Sequence, residues 1–358
     1  MEPAILRLID ANCNRAREAL RVLEDYARFV LDHAALCEAL KGLRHEFQTA
    51  TASLQARAIA GRDTSGDVGT AITTETEHRR DSTAAVVTAA GKRLGEALRT
   101  IEEYLKTEDS ATGPAANAPS QARRIEQLRY RTYDLERMIL LTLSKGRERM
   151  RTIALHVLVT ESLCRRPWLE TAELALQGGA GCLQLREKTM DGGELLKRAR
   201  QIVALCRQYH AVSIINDRPD IALLSGADGV HVGQGDLPAL AARQILGPDK
   251  IVGVSTREMN QAQQAIVDGA DYVGCGPVFS STTKPQDNLA GLAYAADAAQ
   301  RLPIPAVAIS GITVGNVRQL WDAGVRSIAV SGAVLGADDP KAAAGFLSRV
   351  LTEKGTPA

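Results

Sequence analysis

VSIINDRPDIALLSGADGVHVGQGD, residues 212–236, decides the fold. A β-branched run at 212–216 ends in the polar Asn216-Asp217-Arg218. An Ala/Leu stretch then closes on Gly226-Ala227, and a second β-branched run at 229–232 leads to Gln234 and Asp236. Strand, helix, Gly-Ala turn and strand with a polar carboxyl end make up one β/α unit. The same grammar extends in both directions. Strand candidates lie at 153–159, 182–187, 212–216, 229–232, 251–255, 271–275, 306–310 and 327–331, with Ala/Leu/Gln-rich helical stretches between them. Eight such units in about 200 residues predict a compact (β/α)8 TIM barrel over 151–358. The alternative, an open doubly wound sheet, calls for Gly-x-Gly-x-x-Gly after its first strand, and HVLVTESL (156–163) has no such turn.

Residues 1–150 read instead as an all-α helical domain, so the whole is an α/β protein of two domains. In 14–31, Ala16, Ala19, Leu20, Leu23, Ala27 and Val30 form one apolar stripe at helical spacing. Further helices are predicted over 36–60, 82–106 and 122–144. Between the last two, 107–121 reads as a mobile loop, and Lys145-Gly146-Arg147 reads as a helix stop opening a linker. NRAREALRVLEDY (14–26) aligns without gaps to KRLGEALRTIEEY (92–104), and Leu43-Arg44-His45 echoes Leu128-Arg129-Tyr130. A duplicated helix pair explains this; so does the commonness of such words in helices.

Composition narrows the function. Apolar residues make up 45% of the 358, which excludes a mainly disordered chain, and aromatics only 4%. Forty-three basic against 42 acidic residues give a net charge of +1, so no global field favours nucleic acid or an anionic membrane. The six cysteines show no CxxC and no zinc spacing, and read as reduced thiols of a cytoplasmic protein. No signal peptide is apparent at the N-terminus, and no apolar run is long enough to span a bilayer.

Barrel enzymes place their chemistry at the carboxyl ends of strands. Those positions hold Gln184, Arg186, Glu187 and Lys188, then Asn216, Asp217 and Arg218, then Gln234 and Asp236. Ser255, Ser281-Thr282-Thr283-Lys284, Ser310-Gly311 and Ser331-Gly332 follow. Asp217 and Asp236 are oxygen ligands suited to Mg2+ with phosphate oxygens and waters. Arg186, Lys188 and Lys284 suit a diphosphate, and the Gly-containing ends of the last two strands suit a monophosphate held by backbone N–H groups. Asp236 before Leu237-Pro238 also fits a helix N-cap, and His156 and His231, inside apolar strands, read as barrel-interior histidines.

Gln184-Leu-Arg-Glu-Lys188, Ile215-Asn-Asp217, Asp228-Gly-Val-His-Val-Gly-Gln-Gly-Asp236, Gly253-Val-Ser255, Gly276-Pro-Val-Phe279 and Thr283-Lys284 resemble, in order, the motifs of the thiamine-phosphate synthase family. The resemblance implies an enzyme that joins hydroxymethylpyrimidine diphosphate to a thiazole phosphate, releasing diphosphate and forming thiamine phosphate, with Mg2+ as cofactor. It implies Mg2+ at Asp217 and Asp236. The pyrimidine diphosphate would lie at Gln184, Leu185, Arg186, Glu187, Lys188, Asn216, Ser255 and Lys284, with Arg186, Lys188, Ser255 and Lys284 catalytic. The thiazole phosphate would lie at Ser281, Thr282, Thr283, Gly311, Ser331 and Gly332. The partners are then small-molecule substrates, with no nucleic acid and no membrane; a homo-oligomer is compatible with all of this. The chain departs from the family pattern at Ser280, where Pro is usual, at Ser310, where a Gly-Gly pair is usual, and at Gly332, where Ser is more common. A related barrel, the thiazole tautomerase, has a similar fold without the condensation, and does not need the two Asp, Asn216 and the Arg/Lys set together. A non-enzymatic pathway sensor is a further alternative.

The helical half has no Gly-x4-Gly-Lys-Ser/Thr loop. Through Asp10 to Glu18, Arg62-Asp63-Thr64, Asp67 to Thr70 and Lys92-Arg93 it resembles the small helical domain often fused ahead of this synthase, of a hydroxymethylpyrimidine-phosphate kinase type. Phosphoryl transfer needs cations, carboxylates and a backbone cradle. Arg15, Arg17, Arg21, Lys92 and Arg93, Asp63 and Asp67, and Gly66 and Gly69 are the candidates for these. An assembly module with solvated charges is the other reading.

Overall fold

The computed structural model describes residues 2–31, 33–59, 62, 80–112, 120–141, 143, 146–281 and 288–353. The chain forms two compact units, Met1–Leu140 and Leu141–Ala358.

The second unit is a closed barrel of eight parallel strands in sequential order. They are β1 (Leu155–Val159), β2 (Cys182–Leu185), β3 (Val212–Asn216), β4 (Gly229–Val232), β5 (Ile251–Thr256), β6 (Tyr272–Cys275), β7 (Ala306–Ile309) and β8 (Ile328–Val330), and β1 closes the ring on β8. The period of two along each strand separates two cores. Val157, Val159, Leu183, Leu185, Ile215, Val230, Val252 and Val273 pack outward with the surrounding helices. Leu158, Cys182, Ile214, Ile251, Tyr272, Val307 and Ala329 fill the barrel itself, and Met150 and Ile153 join them.

Met150 belongs to a helix that the sequence reading took for a linker. Glycine at 146 permits it: a Cβ there would sit 2.9 Å from the Asp271 carboxyl carbon. The resulting turn, Gly146–Arg151, buries Met150 completely and bonds Arg147 to the carbonyl of Ala270 at 3.3 Å.

In the first unit, α1 runs Pro3–Asp25, α2 Ala34–Ala58, α3 Thr83–Thr112 and α4 Gln121–Leu141. Helix α1 begins well before the predicted stripe, with Pro3 at its first turn, where the missing N–H costs nothing. Ala16, Ala19, Leu20, Leu23 and Ala27 are buried as expected, but Val30 is exposed and Leu31 is buried instead. The cause is a π-helical turn at Tyr26–Val30, where Leu31 N–H reaches back five residues to Tyr26 O. The extra residue per turn rotates the stripe away. Helix α3 also runs further than predicted, through the first part of the expected 107–121 loop, and Gly113-Pro114 follows its last residue. Residues 113–119 lie outside the described residues.

The two aligned segments carry matching buried ion pairs. Arg44 Nε meets Glu24 Oε2 at 2.7 Å, and Arg129 Nε meets Glu102 Oε2 at 2.7 Å. Arg21 and Arg99 stand three residues before their respective glutamates and contact them too. No helix among the described residues is long and apolar enough to cross a membrane, and all six cysteines are free thiols.

Candidate active site

The parallel register lifts every strand's carboxyl end to one rim. Gln184 on β2 is buried and points into the barrel, while its neighbour Leu185 lies in the outer core against the helices. Alternation therefore leaves Leu185 only its main chain to offer a ligand. Arg186 follows the strand; its guanidinium makes no hydrogen bond or ion pair among the described residues, so its donors are available. Glu187 is engaged in the protein: it accepts from Glu161 N–H at 2.7 Å and faces Arg198 at 3.8 Å. Lys188 Nζ contacts Asp217 Oδ2 at 2.9 Å.

Asp217 has a positive φ of 63°, held by its N–H bond to His231 O at 2.8 Å. Left-handed backbone is uncommon for a residue with a Cβ, and Asp tolerates it better than most. The result turns its carboxyl to Asp236, and the two hydrogen-bond to each other. Burial pushes the Asp217 carboxyl up; Lys188 opposes this and the Asp236 charge adds to it, and the net direction is upward. Asp236 goes the other way. Burial alone raises it, but hydrogen bonds from Asp217 and from Gly233 N–H, with the Lys188 charge, hold it below the usual range. The two carboxyls are thus driven apart in acidity, as neighbouring like charges are, with Lys188 the one cation in contact with the pair among the described residues.

Asp236 is not a helix N-cap. The following helix, Ala239–Leu246, is capped at Pro238 with no side-chain bond, and Asp236 Oδ2 instead accepts from Gly233 N–H at 2.8 Å within its own turn.

Behind this rim lies a hydrogen-bonded chain that sequence reasoning missed. His231 bridges Tyr272 OH and Ser255 Oγ, each at 2.9 Å, and Gln184 bonds to the same Tyr272 hydroxyl. Burial lowers the His231 pKa to about 4, so the ring is neutral. A neutral ring donates to only one of its two hydroxyl partners and accepts from the other. Both histidines are interior, as expected; His156 bonds Ser327 Oγ at 3.3 Å, and burial lowers it to about 3. The signal for the chain was present as glycines. A Cβ at Gly253 would lie 2.1 Å from Tyr272 Cζ, and one at Gly274 would lie 3.1 Å from His231 Cε1.

At the far rim, Ser310 and Gly311 both have positive φ, 85° and 67°. This is the place where a glycine pair suits the backbone, and Ser310 occupies it with a Cβ. Segment 278–280 is zipped to β7 through Val278 N–H to Ile309 O and Phe279 N–H to Ser310 O. Ser281 is described and partly exposed; Thr282, Thr283 and Lys284 lie outside the described residues. Ser331 donates Oγ to Leu158 O at 2.8 Å, and Gly332 opens a short helix whose first N–H groups no helical carbonyl can reach.

Set against known proteins, residues 155–334 match the thiamine monophosphate synthase family model, and residues 7–138 match the ThiD2 family. A thiamine-phosphate synthase of Thermosynechococcus vestitus is 42% identical over 98% of this chain and 96% of its own length. Its counterpart in Synechocystis is 41% identical over 98% and 97%. The chain belongs to the thiamine monophosphate synthase family. It is therefore an enzyme of the transferase class, with a ThiD2-family domain at its N-terminus. Among solved structures, thiamine phosphate pyrophosphorylase from Pyrococcus furiosus superposes with a TM-score of 0.52 at 34% identity, covering 56% of this chain and 96% of that one. The synthase-family match falls on the strands that carry Gln184, Asp217, Asp236 and Ser255.

Of the cations proposed for the helical unit, Arg15 is exposed and Arg21 pairs with Glu24. Among the described residues Arg93 bonds only its own helix at Ala89 O, and Lys92 is exposed near Glu136. Arg17 is partly buried between α1 and α2. Asp63, Gly66, Asp67 and Gly69 lie outside the described residues.

Proposed function

We propose that the barrel condenses hydroxymethylpyrimidine diphosphate with a thiazole phosphate to give thiamine phosphate and diphosphate. The observation that carries this reading is the Asp217–Asp236 pair beside Lys188, with the uncommitted guanidinium of Arg186 at the next strand end. Two abutting carboxyls of oxygen-only chemistry fit Mg2+, a hard cation that keeps waters and takes few protein ligands. Bound there, Mg2+ would neutralise charge on a diphosphate leaving group.

The chain's own residues supply the rest. Arg186 and Lys188 pair with diphosphate oxygens as charge accumulates on them, with Lys284 assigned the same role by resemblance. The carbon–oxygen bond to the pyrimidine methylene breaks, its electron pair leaves with diphosphate, and the thiazole nitrogen lone pair forms the new carbon–nitrogen bond. No proton need move, which accords with a neutral, buried His231. Gln184, Asn216 and Ser255 position the pyrimidine, and the His231–Tyr272 chain fixes the first and last of these. Main-chain groups at Leu185 and Glu187 can add contacts. Ser281 to Thr283, Gly311, Ser331 and Gly332 hold the thiazole phosphate, which the already placed nitrogen needs for attack.

The helical unit, in this proposal, makes the diphosphate by phosphorylating hydroxymethylpyrimidine phosphate. Its ThiD2-family match and the resemblance at Asp10 to Glu18 support that reading.

The test uses the full chain. Supplied with both phosphorylated substrates and Mg2+, it should release diphosphate and thiamine phosphate in equal amounts. With ATP and pyrimidine monophosphate in place of the diphosphate, it should still form product. Failure of the first assay sinks the barrel reading; success of the first with failure of the second leaves the helical unit as an assembly module.

A further inference from the structure

The interface between α1 and α2 changes chemistry along its length. Toward the C-terminal part of α1 it is apolar: Ala16, Leu20 and Leu23 are buried, as are Leu40, Leu43 and Phe47 of α2. From Arg17 back toward the N-terminus of α1 the face becomes polar, with Arg17, Asn14, Cys13 and Asp10, and α2 supplies Thr51 and Gln55.

The charges there are unevenly settled. Arg62 holds both oxygens of Asp10, at 2.7 Å each, so that pair is neutral. Burial pushes the Cys13 thiol up to about 11, so it too is uncharged. Arg17 is different. Its partners are two neutral amide oxygens, Gln55 Oε1 at 3.3 Å and Asn14 Oδ1. Gln55 is aimed by its own bond to Thr51 Oγ1 at 2.9 Å, and Thr51 is anchored on Phe47 O at 2.8 Å. A partly buried guanidinium is thus fixed in place by neutral acceptors, with no carboxylate against it among the described residues. It has N–H donors to spare.

The aligned half shows what the same helix pair looks like without such a group. Glycine occupies position 95, where the alignment places the counterpart of Arg17, and Gly91 is the counterpart of Cys13. Helix α4 closes onto both: a Cβ at Gly91 would lie 2.5 Å from Glu136 Oε1, and one at Gly95 would lie 3.5 Å from Tyr133 Cε1. A purely structural interface fills this place with packing. The first half places a guanidinium and its amide acceptors there instead.

We propose that Arg17, with Asn14, Gln55 and Thr51, forms the anion subsite of the helical unit and takes the phosphate group of a small phosphorylated ligand. The assignment rests on reading this unit as a phosphoryl-transfer domain. Phosphate oxygens accept the remaining N–H groups of Arg17, and the amide groups of Asn14 and Gln55 can turn their N–H ends to the same anion. The phosphate can belong to the pyrimidine monophosphate or to ATP.

The test titrates full-length protein carrying Arg186→Ala, which weakens phosphate binding at the barrel, with pyrimidine monophosphate and, separately, with a non-hydrolysable ATP analogue. Arg17→Gln should weaken binding of one of them at least tenfold, Arg17→Lys should lose less, and the ligand affected identifies the source of the phosphate. Gln55→Glu provides a second check that keeps the fold: a carboxylate opposite Arg17 neutralises it, and should abolish the same binding while helicity stays unchanged. Unaltered affinity in both Arg17→Gln and Gln55→Glu, or no binding of either ligand before these changes, overturns the site. Kinase turnover separates the two readings. Turnover that persists in Arg17→Gln at an unchanged KM sinks the site and spares the kinase. Arg17-dependent binding without any turnover sinks the kinase and spares the site.

Discussion

The helical unit and the barrel rim treat buried charge in opposite ways. Among the described residues of the helical unit each buried carboxylate has its own guanidinium: Asp10 with Arg62, Glu24 with Arg44 and Glu102 with Arg129, all at 2.7 Å. The barrel does the same away from its rim, where Asp271 meets Arg243 at 2.6 Å. At the rim it does the reverse and sets Asp217 against Asp236. A matched pair is complete in itself and holds two elements together. A like-charge pair that meets a single cation, here Lys188 on Asp217, stays under-neutralised, so it marks where a further cation fits.

This contrast can be broken at several points. The largest effect on stability is expected from Glu102→Gln, which leaves Arg129 buried without its counter-ion, at a cost of about 3–5 kcal/mol. Far-UV ellipticity should be lost at lower temperature while the barrel stays folded. Both tryptophans, Trp168 and Trp321, lie in the barrel unit and report on it alone. Simultaneous loss of both signals would mean the units do not unfold separately.

Asp236→Asn should act the other way round. Diphosphate release should slow on the order of 10²–10³-fold, while thermal stability holds or rises, because a repulsion has gone. A stability loss comparable to that of Glu102→Gln, with turnover intact, would show the pair to be structural. Gly253→Ala, which drives a Cβ against Tyr272, should cost about 1–3 kcal/mol by overpacking and also lower turnover by moving His231 off Ser255. A variant that keeps wild-type tryptophan melting and rate would refute the role given to the glycine.

The smallest effect is in mild acid. His156 is neutral in the folded barrel because burial lowers its pKa to about 3, whereas the unfolded chain binds a proton below about 6.5. A depressed histidine means stability is full above about pH 6.5 and falls as pH drops toward 3, by roughly 1.4 kcal/mol at about pH 5.5. Glu102 has a different window. Burial raises it, but hydrogen bonds from Arg129 and Lys106 win and hold it low, so its contribution persists until pH falls below about 4.5. Urea titrations at pH 7 and 5.5 should therefore weaken the tryptophan signal before the helical one; His156→Asn should remove about half of the difference, because His231, which burial lowers to about 4, loses a similar amount over the same range.

The barrel was legible because parallel strands buried on both sides leave continuous β-branched runs, and because polar residues gather only where those runs end. Asn216, Asp217, Asp236 and Arg186 stood out for that reason. The same motif carries Leu185 and Glu187, and a string has no information on which way a side chain turns: Leu185 faces the helices and Glu187 meets Glu161 N–H, so the proposal gives them main-chain contacts. The short helix at Gly146–Arg151 was illegible for a similar reason: six residues show no period, and what makes them helical is the barrel floor they cover.

Local patterning by itself determined the two-part organisation, the eight β/α units and the polar composition of the strand ends, because these depend on neighbours in sequence. Tertiary structure alone decided which charges are matched. Glu24 and Arg44, Gln184 and Tyr272, and Asp217 and Asp236 are distant in sequence. Only folding brings each pair together, and only burial makes it matter whether the partner is opposite in charge, neutral or alike.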